Sequence, residues 1–234
     1  MTVTGSCISF TFDDVYASQY TNARPILAAK GWAATAYVIQ DRLDTAGFWT
    51  TAQLAVLADL CDWEMSLHAY SSTVHNAANG NVSYSGTPDV LRLDWTAQQQ
   101  ALQALGRTRG LGHYAYPQGK FDLTTLAEVK KRFLSARTTV SRGIETIPPS
   151  DLHRLRAIQC GNTTALTPNS TLGTLEWYVD MVGTHGGWLI LCFHDVITTA
   201  TSTLEFSTAN FQTLCDYIAT AGIPVRTIGE VLGS

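Results

Sequence analysis

Charge is scarce in this chain. Only 15% of its 234 residues are charged, and 15 lysines and arginines stand against 19 aspartates and glutamates. Nucleic acids and anionic membrane surfaces are met by basic faces, so a net charge of −4 gives no reason to expect either partner. The densest basic run, Lys130-Lys131-Arg132, falls in a helix-like segment and reads as a solvated face. Cysteines are few: Cys7, Cys61, Cys160, Cys192 and Cys215 are odd in number and widely spaced. The absence of any CxxC pair or Cys/His knuckle removes zinc-finger and thioredoxin readings. Buried free thiols are expected, with a Cys7–Cys192 bridge left open if the two lie on neighbouring strands. No apolar run approaches the ~20 residues that span a bilayer, and no charged stretch followed by an apolar one marks an export signal. No membrane insertion is expected.

Apolar residues are plentiful, at 45%, and their arrangement indicates the fold. Short apolar runs (Cys7–Phe12, Trp32–Ile39, a run ending at Leu67-His68, His113–Tyr116, Leu134–Thr139, Leu155–Cys160, Trp188–Phe193, Ile223–Arg226) alternate with helical stretches at Ala17–Lys30, Thr51–Leu60, Leu93–Arg109, Leu123–Arg132, Leu172–Thr184 and Thr208–Ala221. Such alternation specifies α/β architecture with a mainly parallel sheet. About seven or eight units, without repeats or long linkers, predict a single-domain distorted or incomplete (β/α) barrel. Residues Ala69–Pro88, rich in Ser, Asn, Gly and Thr, read as a loop.

In barrels of this kind chemistry sits at the C-terminal ends of strands, and three strand ends carry polar groups: Asp13-Asp14, His68 and His194-Asp195. Adjacent carboxylates at the end of a buried strand repel unless a cation or proton shares the site, although Asp is also a frequent helix cap. The blocks ISFTFDDVY around Asp13-Asp14, EMSLH ending at His68, AYPQGKFD from Ala115, LRAI from Leu155 and LILCFHD ending at Asp195 resemble, in order, the NodB-homology polysaccharide deacetylases of carbohydrate esterase family 4. The resemblance covers nearly the whole chain. It implies Asp13 as general base, Asp14 and His68 as ligands of one divalent metal, and His194 as general acid. A backbone N–H near Gln118 would share in oxyanion stabilisation. Zinc suits nitrogen and carboxylate ligands with an open position, and cobalt or another divalent ion also fits.

Two departures from the family pattern stand out. Position 72, where a second metal-binding His is expected, is Ser. His75 lies on the same face as position 72 if this stretch is helical, and it is the candidate replacement; the alternatives are two protein ligands plus water, or a lost site. Ala115 stands where the family often has an Arg that holds the base, and Arg154 or Arg156 is a candidate orienting group. Tyr116, and less so Trp49, is a candidate for stacking on a sugar ring. The partner implied is an acetylated polysaccharide, either an N-acetylglucosamine polymer (chitin, peptidoglycan, surface polysaccharide) or acetylxylan. Action outside the cytoplasm, in a cell wall or in association with a virus, is consistent with such a polymer, although the chain carries no export signal. Two rivals remain: a catalytically silent glycan-binding member, motivated by Ser72 and Ala115, and an amidohydrolase whose Ala69–Pro88 loop closes over a small amide.

Overall fold

The alternating pattern produces a parallel sheet that curls almost into a closed barrel with helices outside. The structure, a computed structural model, describes residues 5–77, 88–139, 143–161 and 172–234. In chain order its elements are β1 (Ser6–Asp13), a π-helical turn (Gln19–Ala23) running into α1 (Arg24–Ala28), β2 (Thr35–Ile39), α2 (Thr51–Leu60), β3 (Glu64–Ala69), α3 (Ser72–Asn76) and α4 (Pro88–Ala104). There follow β4 (His113–Ala115), α5 (Leu123–Arg132), β5 (Ser135–Thr138), β6 (Leu155–Arg156), β7 (Ile158–Gln159), α6 (Leu172–His185), β8 (Gly187–Phe193), β9 (Asp195–Ile197), β10 (Glu205–Ser207), α7 (Thr208–Ala221) and α8 (Ile228–Leu232). Local chemistry sets several boundaries. Thr50 and Gln53 form a reciprocal capping box that starts α2, and Gly222, at φ 67°, ends α7 in the left-handed region.

The eight main strands are ordered β6-β5-β4-β3-β2-β1-β8-β7, and every pairing between them is parallel. The two ends of that order, β6 and β7, are one extended stretch interrupted only by Ala157. Its first half pairs with β5 and its second with β8, so a single segment draws the sheet together. The outer face of the sheet packs against the helices through Phe10, Phe12, Leu191 and Phe193. The inner face encloses a smaller cluster of Cys7, Tyr37, Ala115, Trp188, Ile190 and Cys192, with Ile228 and Val231 of α8 packed against it.

Most expected elements form, with informative shifts. The helix expected from Ala17 starts there and passes at Gln19 into the π-helical turn. The strand expected at Ile223–Arg226 shrinks to one bridge, Val225 to Ile8. The short elements α3, α8, β9 and β10 are too brief for periodicity to announce. Of the Ala69–Pro88 stretch, the first part is α3, and residues 78–87 lie outside the described residues. The Cys7–Cys192 bridge is excluded. Cys7 pairs in register with Trp188 and Cys192 with Thr11, so the two thiols are about four strand residues, or ~13 Å, apart; all five cysteines are free. No described helix is long and apolar enough to cross a membrane.

Candidate metal centre and active site

β1, β3 and β8 deliver their C-terminal residues to one cavity of about 220 Å³, whose wall includes Asp13, Asp14, His68, His75, Gln118 and His194. The turn leaving β1 is strained: Asp14 has φ 74° and Val15 φ 58°. A β-branched residue adopts that conformation only where its surroundings impose it. Here the Asp14 N–H donates to Tyr37 O at 3.3 Å, and Trp49 N–H donates to Val15 O at 2.9 Å. The turn separates the two carboxylates, so that Asp13 meets Arg137 and Asp14 meets His75, with His68 within 3.8 Å of both.

Asp14 faces two imidazoles. His68 Nδ1 lies 2.8 Å from Ala115 O; a carbonyl only accepts, so that nitrogen carries the proton and Nε2 keeps its lone pair. His75 Nδ1 likewise sits 2.9 Å from Asn76 Oδ1, which leaves its Nε2 free of a proton too. The two Nε2 atoms face one another at 3.2 Å, and Asp14 Oδ1 lies 3.7 and 3.6 Å from them. Ligands in a tetrahedral set with bonds of ~2.0–2.1 Å are about 3.3–3.4 Å apart, so this triangle fits a divalent ion. Asp14 Oδ1 is buried with no hydrogen-bond partner among the described residues; Arg42 Nη1 stands 3.3 Å away as an ion-pair contact, and a metal ion would add the direct bond that this oxygen lacks. Burial, followed by the neighbouring His75, pulls the His68 pKa down to about 4 against the opposing pull of Asp13 and Asp14. His68 is therefore neutral and ready to bind metal at pH 7.

His75 reaches this position because Ser71 caps α3, its hydroxyl accepting from Thr73 N–H at 3.2 Å. The single turn that follows lifts position 75 toward the strand end. Ser72 is engaged elsewhere, donating from its N–H and hydroxyl to Asp41 Oδ2 at 2.8 and 3.0 Å.

Asp13 has a different environment. Its Oδ2 accepts from Arg137 Nη2 at 2.5 Å, and both side chains are buried. Burial alone would raise the Asp13 pKa, but Arg137 above all, then His68 and His194, holds the carboxyl well below the usual carboxylate range. Its second oxygen, Oδ1, is buried without a partner among the described residues. His194 Nε2 lies 3.9 Å from Asp13 Oδ2, and its Nδ1 also lacks a partner among the described residues. Asp13, Cys192 and His194 form a second group with metal-ligand spacing. Arg137 Nη1, however, donates to Cys192 Sγ at 3.3 Å, so a cation there would meet a guanidinium. A guanidinium also stands beside the other set, with Arg42 Nη1 3.3 Å from Asp14 Oδ1. Burial, however, pushes the Cys192 thiol well up, and a protonated thiol is a poor ligand, which leaves the Asp14 set as the better centre.

Arg137 was not foreseen. It lies on β5 as the register partner of Ala115 on β4, so the cation comes from the strand beside the expected one. Its side chain crosses the barrel interior over the Tyr37 ring, 4.9 Å from the centroid, and Ala115 presents no bulk to oppose it. An arginine inside an otherwise buried strand run was the available signal. The candidate orienting groups Arg154 and Arg156 are engaged elsewhere: Arg154 pairs with Asp151 at 2.6 Å and Arg156 with Glu145 at 2.9 Å.

Tyr116 is not on the cavity wall. It is fully buried, its hydroxyl donates to His153 O at 3.0 Å, and its ring packs against Tyr114 and Phe121. This position does not support the sugar-stacking role expected of it. Trp49 is likewise fully buried, as ordinary packing requires. Gln118 does line the cavity, at φ 54°, and its side-chain oxygen accepts from Lys120 Nζ at 3.3 Å.

The profile of the polysaccharide deacetylase family matches residues 1–134. The chain belongs to this family. Solved structures of carbohydrate esterase family 4 share its fold. The carbohydrate esterase family 4 domain of a multidomain xylanase, from the hindgut metagenome of Trinervitermes trinervoides, superposes with a TM-score of 0.62 at 13% identity, over 98% of this chain and 90% of that one. A family 4 acetyl xylan esterase from Clostridium thermocellum, solved with a cobalt ion, gives 0.57 at 18% identity over 97% and 90%. A family 4 pseudoenzyme from Bacillus anthracis gives 0.61 at 15% identity over 98% and 66%. The comparison with curated proteins returns no match. Within this deacetylase fold the buried Asp14, His68 and His75 can hold a divalent metal.

Proposed function

We propose that the protein is an active zinc-dependent deacetylase that hydrolyses acetyl groups on an N-acetylglucosamine polymer or an acetylated xylan. The observation that carries this reading is the pair of Nε2 atoms 3.2 Å apart, each on a ring whose Nδ1 meets a carbonyl oxygen, beside an Asp14 Oδ1 that has no hydrogen-bond partner among the described residues. Asp14, His68 and His75 would hold a divalent ion, which when bound would supply Lewis acidity and a lowered pKa for water. Asp13, kept ionised by Arg137, takes a proton from the attacking water at Oδ1, the oxygen without a hydrogen-bond partner among the described residues. The backbone N–H at Gln118, turned by the left-handed conformation there, serves the developing oxyanion. His194 gives its proton to the departing nitrogen or oxygen. Both departures that favoured a silent site meet a substitute: His75 for the histidine missing at Ser72, and Arg137 for the arginine missing at Ala115.

Acetate release from acetylated chitooligosaccharides and acetylated xylan is expected to stop on chelation and return with zinc. Persistent silence with zinc bound would point to a different substrate, and silence without bound zinc would end the catalytic reading. Asp13→Asn should lower kcat by about 10²–10⁴-fold, the usual worth of a general base, with bound zinc retained. A silent glycan-binding module would show no change in glycan affinity and no turnover to lose.

A further inference from the structure

The ladder between β1 and β8 ends at the pair Phe12 and Phe193. The next residue on each strand is one of the two proposed proton-transfer groups, Asp13 and His194, and no backbone rung joins them. Gln19 takes that place. Its side-chain amide donates one hydrogen to Asp13 O at 2.6 Å and the other to His194 O at 2.8 Å. It is fully buried and opens the π-helical turn, a rare conformation that tends to occur at functional sites. Its neighbours lace the same turn to the chain leaving β8. Ser18 donates to Asp195 Oδ1 and accepts from Val196 N–H, and Asn22 donates to Val196 O at 2.7 Å.

The two ends joined by Gln19 are not equally secured. Asp13 is also held by Arg137, whereas the His194 ring has no partner at Nδ1 among the described residues. The placement of His194 therefore depends on its backbone. We propose, building on the deacetylase reading, that Gln19 is the positioning residue for His194, replacing the missing rung and fixing the acid's distance from Asp13 and the cavity.

The test compares two leaving groups. An amide nitrogen needs the proton of His194, whereas the nitrophenolate of 4-nitrophenyl acetate departs as a stable anion. In Gln19→Met, of similar length but without the amide, kcat on an acetylated chitooligosaccharide should fall about 10–100-fold with KM little changed, as expected for ~1 Å of misplacement. Turnover of 4-nitrophenyl acetate should change less than about threefold. Gln19→Asn keeps an amide too short for both carbonyls and should show the same split, which covers a failure of the methionine variant to fold. An equal loss on both substrates, or a lowered Tm with unchanged kcat, would overturn the proposal. A crystal structure of the metal-free variant provides a readout independent of activity. The His194 backbone should move away from Asp13, and an unmoved strand end would overturn the proposal even if the wild type releases acetate. If the wild type releases none, the deacetylase reading falls, and the crystal structure alone decides whether the clamp exists.

Discussion

His75→Ala should weaken zinc binding by more than about 100-fold, beyond the 10–100-fold typical of losing an outer-shell partner, and should remove turnover at ordinary metal concentrations. Three atoms would hold the ion, Asp14 Oδ1, His68 Nε2 and His75 Nε2, and they lie 3.2–3.7 Å from one another. Loss of one leaves two protein ligands, fewer than the three that hold a catalytic zinc. The change should spare the fold, because His75 lies on a five-residue helix outside the sheet. Ser72→Ala serves as the contrast. It removes only the hydroxyl bond to Asp41, and zinc affinity should stay within about threefold, since a change distant from the metal leaves its ligands in place. Competition against a chromophoric chelator, paired with acetate release, reads both variants. Unchanged affinity in His75→Ala would assign the centre to Asp14, His68 and water.

Arg137→Met should destabilise the barrel by about 3–5 kcal/mol, because it leaves a buried carboxylate without its partner. It should also alter the pH profile in a predictable direction. Arg137 is the foremost influence lowering the Asp13 pKa, and burial opposes it. Without the cation the carboxyl moves up, so Asp13 becomes protonated at higher pH and the acid limb of kcat/KM shifts upward. Arg137→Lys keeps the charge and should preserve the position of that limb. The double variant Asp13→Asn/Arg137→Met removes both charges and should recover much of the stability lost in the single variant, as coupling between contacting residues requires. Urea denaturation of the four proteins measures the stability cycle. A pH profile of Arg137→Met that superposes on the wild type would show that Asp13 is not the group titrating in that limb.

The strand ends were legible because they combine two strong signals, a buried apolar run and a terminal polar residue. Asp13, Asp14, His68 and His194 all line the cavity. His75 was legible only as a candidate, since the single turn that lifts it is too short for periodicity to reveal. Arg137 was missed for a topological reason. A motif is read along one strand, whereas a barrel wall is assembled across strands, and the register that sets Ala115 beside Arg137 exists only in the sheet. Tyr116 failed in the opposite way. Its sequence neighbours belong to the site, but strand alternation and the partner at His153 O turn its side chain into the core.

The stretch Leu155–Gln159, which pairs with β5 through one half and β8 through the other, sets the circumference of the barrel. Arg137 rides on β5, and β8 flanks the β1 strand that carries Asp13. The ion pair spanning the lumen therefore depends on this hoop holding its diameter. Surface loops absorb added residues at small entropic expense. These five positions have no such freedom: one extra residue would widen the ring and draw the guanidinium off the carboxylate without touching either side chain.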